Sequence, residues 1–276
     1  MLWGAAASAM PLAEVRFHNE KSDTLRLNEL LSKGPDNRAS SNATIATLGR
    51  EFIGTPYVAS TLEDTEERLT VNLDELDCTT YVETVMALAL TLEEGRTSWR
   101  DFLYNLERLR YRNGTVDGYG SRLHYVSDWV VDNVHRGTFR EVTNQIPQHD
   151  YQVKTLDYMS SHRDSYPQLA DSVQFERIKS MEIGYRSHRY PYIKKERLNN
   201  KPVKEALREG DIIAITTRTP GLDVSHFGIV VIEKGVPYLM HASSAAKEVV
   251  IDKQPLFDML RRSKTATGIR VFRLNN

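Results

Sequence analysis

The stretch that decides the fold is LDCTTYVETVMALALTLEEG, residues 76–95. Its apolar side chains recur at steps of three and four residues, which predicts a helix over residues 78–94 with Gly95 as its stop. The recurring positions are Val82, Val85, Met86, Ala89 and Leu92. The single cysteine of the chain, Cys78, therefore falls in the first turn of this helix.

Helical patterns precede this helix and strand patterns follow it. The earlier helices are predicted at residues 23–32, which Gly34-Pro35 ends, and at residues 41–52. A turn at Lys234-Gly235 and close strand spacing predict an antiparallel meander. Helices before strands predict an α+β domain. The strands are predicted at residues 211–216, 226–233, 236–242, 247–251 and 268–274.

The middle of the chain, residues 99–201, is polar, aromatic and irregular in pattern. It holds ten of the thirteen tyrosines and five of the eight histidines. Within it, helices are predicted only at residues 125–133 and 166–179. Its aromatic content argues against disorder, so this long segment is predicted to be functional surface.

Charge and hydropathy exclude some classes of partner. The 36 basic residues nearly cancel the 37 acidic ones, which gives no electrostatic case for nucleic acid or an anionic membrane surface. No apolar run reaches the roughly 20 residues of a transmembrane segment. The first ten residues, MLWGAAASAM, end like a secretory signal, so residues 1–13 are expected to be a signal remnant or a disordered start. On the export interpretation, the mature chain begins near Pro11 and works in the periplasm or cell envelope.

A lone cysteine excludes an intramolecular disulfide and a cysteine-cluster metal site. Cys78 is then core filler, a stray reactive thiol or a nucleophile. Backbone N–H groups and the helix dipole at a helix start favour thiolate and can stabilise an oxyanion. His226 opens one predicted strand and His241 lies near the end of the next, and a hairpin of strands about 5 Å apart can make the two histidines neighbours. From spacing alone, this Cys/His/His arrangement is unspecific, and a packing role for the cysteine stays open.

Five short blocks of sequence, in order, resemble those of the NlpC-type cell-wall cysteine peptidases. They are GTPY at residues 54–57, LDCTTYV at 76–82, GDII at 210–213, VSHFGIV at 224–230 and LMHASS at 239–244. The 147 residues between Cys78 and His226 exceed the short link usual in that group. SRLHY at 121–125 and SDW at 127–129 resemble the N-acetylmuramoyl-L-alanine amidase-like branch, and the resemblance spans residues 52–272.

The resemblance implies a papain-like NlpC-type core, in which the cysteine helix packs on an antiparallel sheet. It also implies a single catalytic domain over residues 14–276 with an insertion at about 99–201. In the implied mechanism Cys78 attacks a carbonyl, His226 takes the thiol proton and later protonates the leaving amine, and a thioester acyl-enzyme forms. His241 orients His226, with Asp223 and Ser225 as alternative orienters. Tyr57 donates to the oxyanion together with the Cys78 backbone N–H.

Six further residues are candidate substrate-binding residues on the same resemblance. An arginine suits the carboxylates of a stem peptide, and aromatic side chains suit a sugar face. The alternative is that the group from the insertion forms a packing knot that holds this segment in place. The six are Arg122, His124, Tyr125, Asp128, Trp129 and Ser225.

The expected activity is hydrolysis of the amide between N-acetylmuramic acid and L-alanine in peptidoglycan or muropeptides, by a monomer without cofactor or metal. Two alternatives keep the same substrate class: a γ-D-glutamyl endopeptidase, and a catalytically silent binder of cell-wall fragments. A third is a zinc hydrolase with His226, His241 and Asp223 as ligands. The zinc alternative leaves the cysteine helix start unexplained, and HExxH-type spacing is missing from the sequence.

Overall fold

The computed structural model describes residues 15–33 and 41–275. The expectations for residues 1–13 and for the stop at Gly34-Pro35 lie outside these residues. The described helices are α1 Glu20–Ser32, α2 Ser41–Arg50, α3 Cys78–Glu93, α4 Trp99–Arg110, α5 Val126–His135, α6 Tyr158–Ser161, α7 Ser172–Gly184, α8 Lys201–Ala206 and α9 Leu256–Arg262. The described strands are β1 Val15–Phe17, β2 Leu69–Val71, β3 Phe139–Glu141, β4 Asp150–Lys154, β5 His188–Lys194, β6 Ile212–Thr217, β7 Val224–Glu233, β8 Val236–Ser243, β9 Glu248–Ile251 and β10 Ala266–Leu274.

The main sheet has the strand order β4-β5-β10-β6-β7-β8-β9. Strand β3 pairs with the last three residues of β10. All its recorded pairings are antiparallel, whereas β1 and β2 form a separate parallel pair. The α+β prediction is therefore confirmed. The simple meander is confirmed for β6 to β9 only, because β10 returns to pair with β6 instead of β9.

The helix of the deciding stretch forms as predicted and packs against β7 and β8. Its side chains Val82 and Val85 share one apolar cluster with Phe227 of β7 and Phe272 of β10. The side chains in this cluster are almost completely buried, so their removal from water stabilises the contact between helix and sheet. This packing holds the first residue of α3 beside the sheet.

The middle segment is more regular than its sequence pattern indicated, which corrects that prediction. In α4 the buried residues Phe102, Leu106 and Leu109 recur at helical spacing, and they join the apolar cluster of α3. Polar residues between them masked the pattern. The Arg110 side chain secures α4, since its Nε lies 2.6 Å from Oε2 of Glu83 on α3 in a buried ion pair.

The two helices predicted within the middle segment are present with shifted ends. The first is α5, which begins one residue later and extends two residues further than predicted. The second is α7, which begins at Ser172 after a short 3₁₀ turn over Pro167–Ala170. Pro167 and the capping carboxylate of Asp171 account for the shift, because Asp171 accepts from the backbone N–H groups of Val173 and Gln174.

Candidate active site

The start of α3 is fixed by a reciprocal cap around Cys78. The Asp77 carboxylate accepts hydrogen bonds from the backbone N–H groups of Thr79 and Thr80, and the Thr80 hydroxyl accepts from the Asp77 N–H. Such caps satisfy backbone donors that a helix start leaves without partners. Cys78 is thereby placed at the first helical position, as predicted, with its side chain partly exposed.

A β-bulge lies in β7 directly before His226. His226 pairs with Ile215 and Val224 pairs with Thr216, so Ser225 is an extra residue in the strand. Bulges bend a strand and redirect its side chains. Directly after the bulge, Phe227 lies in the apolar cluster against which Cys78 packs, and its backbone N–H acts to lower the pKa of the Cys78 thiol. This contact brings the predicted histidine strand against the predicted nucleophile.

The two predicted histidines are brought together. Nε2 of His226 lies 2.6 Å from Nδ1 of His241, with the ring planes at 90°. The recorded ladder between β7 and β8 runs from Glu233–Val236 to Ile229–Met240, and both histidines lie just beyond its end. There the imidazoles form the link between the strands.

Burial sets the protonation of this site. It raises the pKa of the Cys78 thiol to about 11, and the nearby Asp77 carboxylate adds to the rise. Burial also lowers the pKa of His226 to about 3, with His241 adding to the fall. Near neutral pH the Cys78 thiol and the His226 imidazole are therefore both neutral at rest. This corrects the expectation of a thiolate, because desolvation outweighs the helix start.

Tyr57 lies near the thiol, as the resemblance implied. Its backbone N–H donates to the Lys247 carbonyl, and it bridges in parallel to Leu76, two residues before Cys78. Burial raises the pKa of the Tyr57 hydroxyl, and the charges of Cys78 and Asp77 raise it further. The hydroxyl is thus neutral, on a residue whose backbone pairs two positions before Cys78.

The alternative orienters of His226 are engaged or directed elsewhere. The buried Asp223 carboxylate accepts from the backbone N–H of Ser127 at 2.6 Å and from that of Val224 at 2.9 Å. Ser225 is exposed on the bulge. Among residues 15–33 and 41–275, no cluster of three or more His, Cys, Asp or Glu side chains is arranged to hold a metal ion. Asp223 is thus held by backbone donors and is not grouped with His226 and His241 in a metal-binding arrangement among these residues.

Arg122 is buried in an acidic setting. Its Nη2 lies 2.6 Å from Oε1 of Glu63, its Nε lies 3.6 Å from Oε1 of Glu67, and its guanidinium lies over the ring of Tyr119. Burial works against its charge, but Glu67 and Glu63 outweigh burial and raise the arginine pKa. A substrate carboxylate would have to displace Glu63, the more exposed of the two partners.

His124 lies beside the same tyrosine. Its Nε2 is 2.9 Å from the Tyr119 carbonyl oxygen, and the two rings are 4.4 Å apart. Burial lowers the pKa of His124 well below its usual value, and the Arg122 charge adds to this effect. The imidazole is therefore neutral and held by its own loop.

Three other candidate residues from the insertion are buried against the protein itself. The Tyr125 hydroxyl donates to Glu182, and the Asp128 carboxylate binds Arg112 and accepts from the Tyr185 hydroxyl. Trp129 is 3% exposed. Its ring packs tilted against Phe139 and edge-on against Phe227 and Phe272. These contacts favour the packing alternative for Tyr125, Asp128 and Trp129, because a sugar has no open ring face to stack on.

Two contributors to the site have no distinctive sequence signal. One is the backbone N–H of Phe227, which follows the bulge in β7 and acts to lower the pKa of the Cys78 thiol. The other is Asp252, whose Oδ2 lies 3.8 Å from Nε2 of His241. It follows β9 as one acidic residue among 37 in the chain, so only the strand register places it beside a histidine.

A large open cavity of about 1240 Å³ lies elsewhere on the protein. Arg112, Asp128 and Tyr185 line it together with residues of α7, whereas Cys78, His226 and His241 do not. Its polar floor is the Arg112–Asp128 ion pair described above. This cavity is therefore separate from the part of the protein that carries Cys78, His226 and His241.

The fold and this geometry define a mixed α+β protein with a cysteine at a helix start and a pair of contacting imidazoles on the two strands that this helix packs against. The chain belongs to the AmiA-like family, described as N-acetylmuramoyl-L-alanine amidase-like, whose model matches residues 47–269. No curated protein is significantly similar to it.

Solved structures are similar over most of the chain. An N-acetylmuramoyl-L-alanine amidase from Bacteroides uniformis is 40% identical with a TM-score of 0.81, covering 86% of this chain and 100% of its own. A Bacteroides fragilis protein whose name proposes a xylanase is 43% identical with a TM-score of 0.77, covering 83% and 100%. A Legionella pneumophila protein is 25% identical with a TM-score of 0.73, covering 93% and 96%.

Proposed function

We propose that the protein is a cysteine amidase that hydrolyses the amide bond between N-acetylmuramic acid and L-alanine in muropeptides. Family membership and the name of the Bacteroides uniformis relative support this substrate class. The observation that carries the mechanism is the 2.6 Å contact between His226 on β7 and His241 on β8, the two strands that the Cys78 helix packs against. The core is then papain-like and NlpC-type, with α3 as its cysteine helix.

In the proposed acylation step, Cys78 Sγ attacks the lactyl carbonyl carbon while His226 removes the thiol proton. Proton removal has to accompany the attack, because a thiol of pKa about 11 is not ionised beforehand. The Tyr57 hydroxyl and the Cys78 N–H donate to the developing oxyanion. The C–N bond then breaks, His226 delivers its proton to the leaving nitrogen, and the peptide departs with a free L-alanine amine.

Deacylation reverses these roles. His226 removes a proton from water, whose oxygen attacks the thioester carbonyl. The C–S bond breaks, and His226 returns the proton to Cys78. The products are the lactyl carboxylate of the sugar and the regenerated thiol, so the cycle needs no metal or cofactor.

Ser225 is the proposed substrate contact at the reaction centre. Its side chain is exposed on the bulge directly before His226, whereas the other candidate residues are at least partly buried. A hydroxyl at this position suits a hydrogen bond to the amide or sugar oxygens. Ser225→Ala is therefore expected to raise KM several-fold with a smaller effect on kcat.

The cellular setting completes the proposal. We place the enzyme in the periplasm or cell envelope, as a monomer whose catalytic domain spans residues 14–276. The described part of the chain contains no helix that is long and apolar enough to cross a membrane. Cell fractionation and gel filtration test the location and the monomer, respectively.

The test of the proposed cut is product analysis. A defined disaccharide–tetrapeptide is incubated with the protein, and the products are identified by mass spectrometry. The amidase yields the free disaccharide and the whole peptide, whereas a γ-D-glutamyl endopeptidase leaves L-Ala-D-Glu on the sugar. A silent binder leaves the substrate intact. Xylan serves as a second substrate. A glycosidase needs a pair of acid and base carboxylates, and the carboxylate next to Cys78, Asp77, is engaged in capping α3. We therefore expect xylan to remain uncut.

A further inference from the structure

Asp252 extends the imidazole pair across a third strand. Val250 of β9 lies opposite His241 on β8. Asp252 comes two positions after Val250, just past the end of β9, so its side chain lies on the same side as that of Val250. The backbone N–H of Asp252 donates to the Leu239 carbonyl, which holds this position against β8. Its carboxylate comes within 3.8 Å of His241 Nε2. The side chains of His226 on β7, His241 on β8 and Asp252 directly after β9 thus lie in a row.

The atoms facing each other in this row restrict where the protons sit. His226 can accept a proton from the thiol only if its second nitrogen, Nε2, already carries one. Nε2 then donates to Nδ1 of His241, which must be unprotonated. His241 consequently carries its proton on Nε2, the atom that faces Asp252.

That Nε2 is buried and has no hydrogen-bond partner among the described residues. Asp252 is the charged group that acts on His241 from a neighbouring element, and the other imidazole in contact is neutral. A carboxylate at this distance attracts an N–H and repels a nitrogen lone pair, so it favours one of the two neutral tautomers.

We propose that Asp252 is a positioning residue that keeps the His241 proton on Nε2 and thereby leaves Nδ1 of His226 free to act as the base. This inference rests on the proposed function of Cys78 and His226. In the other tautomer, His241 donates from Nδ1 to His226 Nε2. The His226 proton then sits on Nδ1, and the base is blocked.

Asp252→Asn is the sharpest variant. Oδ1 of Asp252 accepts from the Gln254 N–H at 2.7 Å, so the asparagine oxygen can keep this turn while its NH₂ group faces His241. An NH₂ group favours a lone pair on Nε2 and therefore the blocking tautomer. We expect kcat on the disaccharide–tetrapeptide to fall about ten- to a hundredfold with KM nearly unchanged, as for other groups that orient a reactive imidazole. Asp258→Asn is the matched control, because Asp258 lies on α9 and, among the described residues, its recorded ion pair is with Arg261 one turn away.

The second readout is independent of any substrate. Nitrogen-15 NMR of the imidazoles in the wild-type protein is expected to show Nε2–H on both His226 and His241, and Asp252→Asn should move the His241 proton toward Nδ1. A wild-type His241 protonated on Nδ1 would overturn the proposal, as would a variant with unchanged spectra and kcat. If the expected tautomers are present but no muropeptide is cut, the proposed function fails and the positioning role stands.

Discussion

Nε2 of His226 and Nδ1 of His241 lie 2.6 Å apart at the point where their two strands cease to pair. The two imidazoles are therefore in contact where the recorded backbone pairing of β7 with β8 has ended. Because both rings are neutral at rest, the pair can take up a proton only when a neighbouring group releases one. The chemistry of the site depends on how tightly this contact and the adjacent thiol are held.

The first prediction concerns the resting thiol. Cys78 is the single cysteine, so iodoacetamide reports on it alone. With a thiol pKa of about 11 and a His226 pKa of about 3, both groups are neutral between these values. The alkylation rate constant should therefore rise about tenfold per pH unit from pH 6 to pH 9. A rate that is flat from pH 5 to pH 8 would indicate a preformed thiolate–imidazolium pair instead.

A second prediction separates the two effects of Asp77. Asp77→Asn keeps a capping oxygen but removes the charge that raises the Cys78 pKa, so alkylation at pH 8 should become faster with little loss of stability. Asp77→Ala removes the cap and should cost about 1 kcal/mol in the free energy of unfolding. Urea titration and alkylation kinetics measure the two effects. Slower alkylation in the asparagine variant would contradict this account.

The third prediction tests the spacing of β7 and β8, the strands that carry the two histidines. A Cβ at Gly228 would lie 2.7 Å from Cδ1 of Leu239 and 2.9 Å from the Met240 carbonyl oxygen, so alanine there must push β8 away from β7. Gly228→Ala should cost about 2 kcal/mol in unfolding free energy and lower kcat by separating the histidines. Gly184→Ala is the control, because a Cβ there has no described neighbour within 4 Å. Equal melting temperatures and activities in the two variants would refute the claim.

Trp129 provides the fourth prediction. Its ring packs edge-on against Phe227, the residue after His226, and lies in the core. Trp129→Ala should therefore cost about 4 kcal/mol in unfolding free energy, and Trp129→Phe distinctly less. A sugar-stacking role predicts the opposite pattern, namely a raised KM with unchanged stability. Thermal melts and Michaelis–Menten kinetics of both variants distinguish packing from substrate stacking.

The sequence predicted the parts that depend on local patterns. The apolar spacing after Cys78 predicted α3, and the short apolar runs around His226 and His241 predicted β7 and β8. It missed α4, where charged residues interrupt the apolar spacing, and the polar strands β4 and β5.

Features that depend on tertiary contacts were not accessible from the sequence. The pKa of Cys78 is raised mainly by desolvation, which no local pattern reports, and this burial outweighs the backbone N–H groups that lower it. The sequence around Trp129 does not distinguish a ring that stacks on a sugar from one that packs against Phe227, as it does in the structure. Asp252 becomes a neighbour of His241 only through the pairing of β8 with β9.

The most direct test of the central claim is the rate at which the wild type and Cys78→Ala release a peptide with a free L-alanine terminus. The substrate is the same disaccharide–tetrapeptide, and thermal melts of both proteins confirm that the variant is folded. We expect the wild type to release the whole peptide and the variant to be slower by at least about a thousandfold, since the acyl-enzyme cannot form. Equal rates in the two proteins would contradict the account, and so would a sugar product that still carries L-alanine.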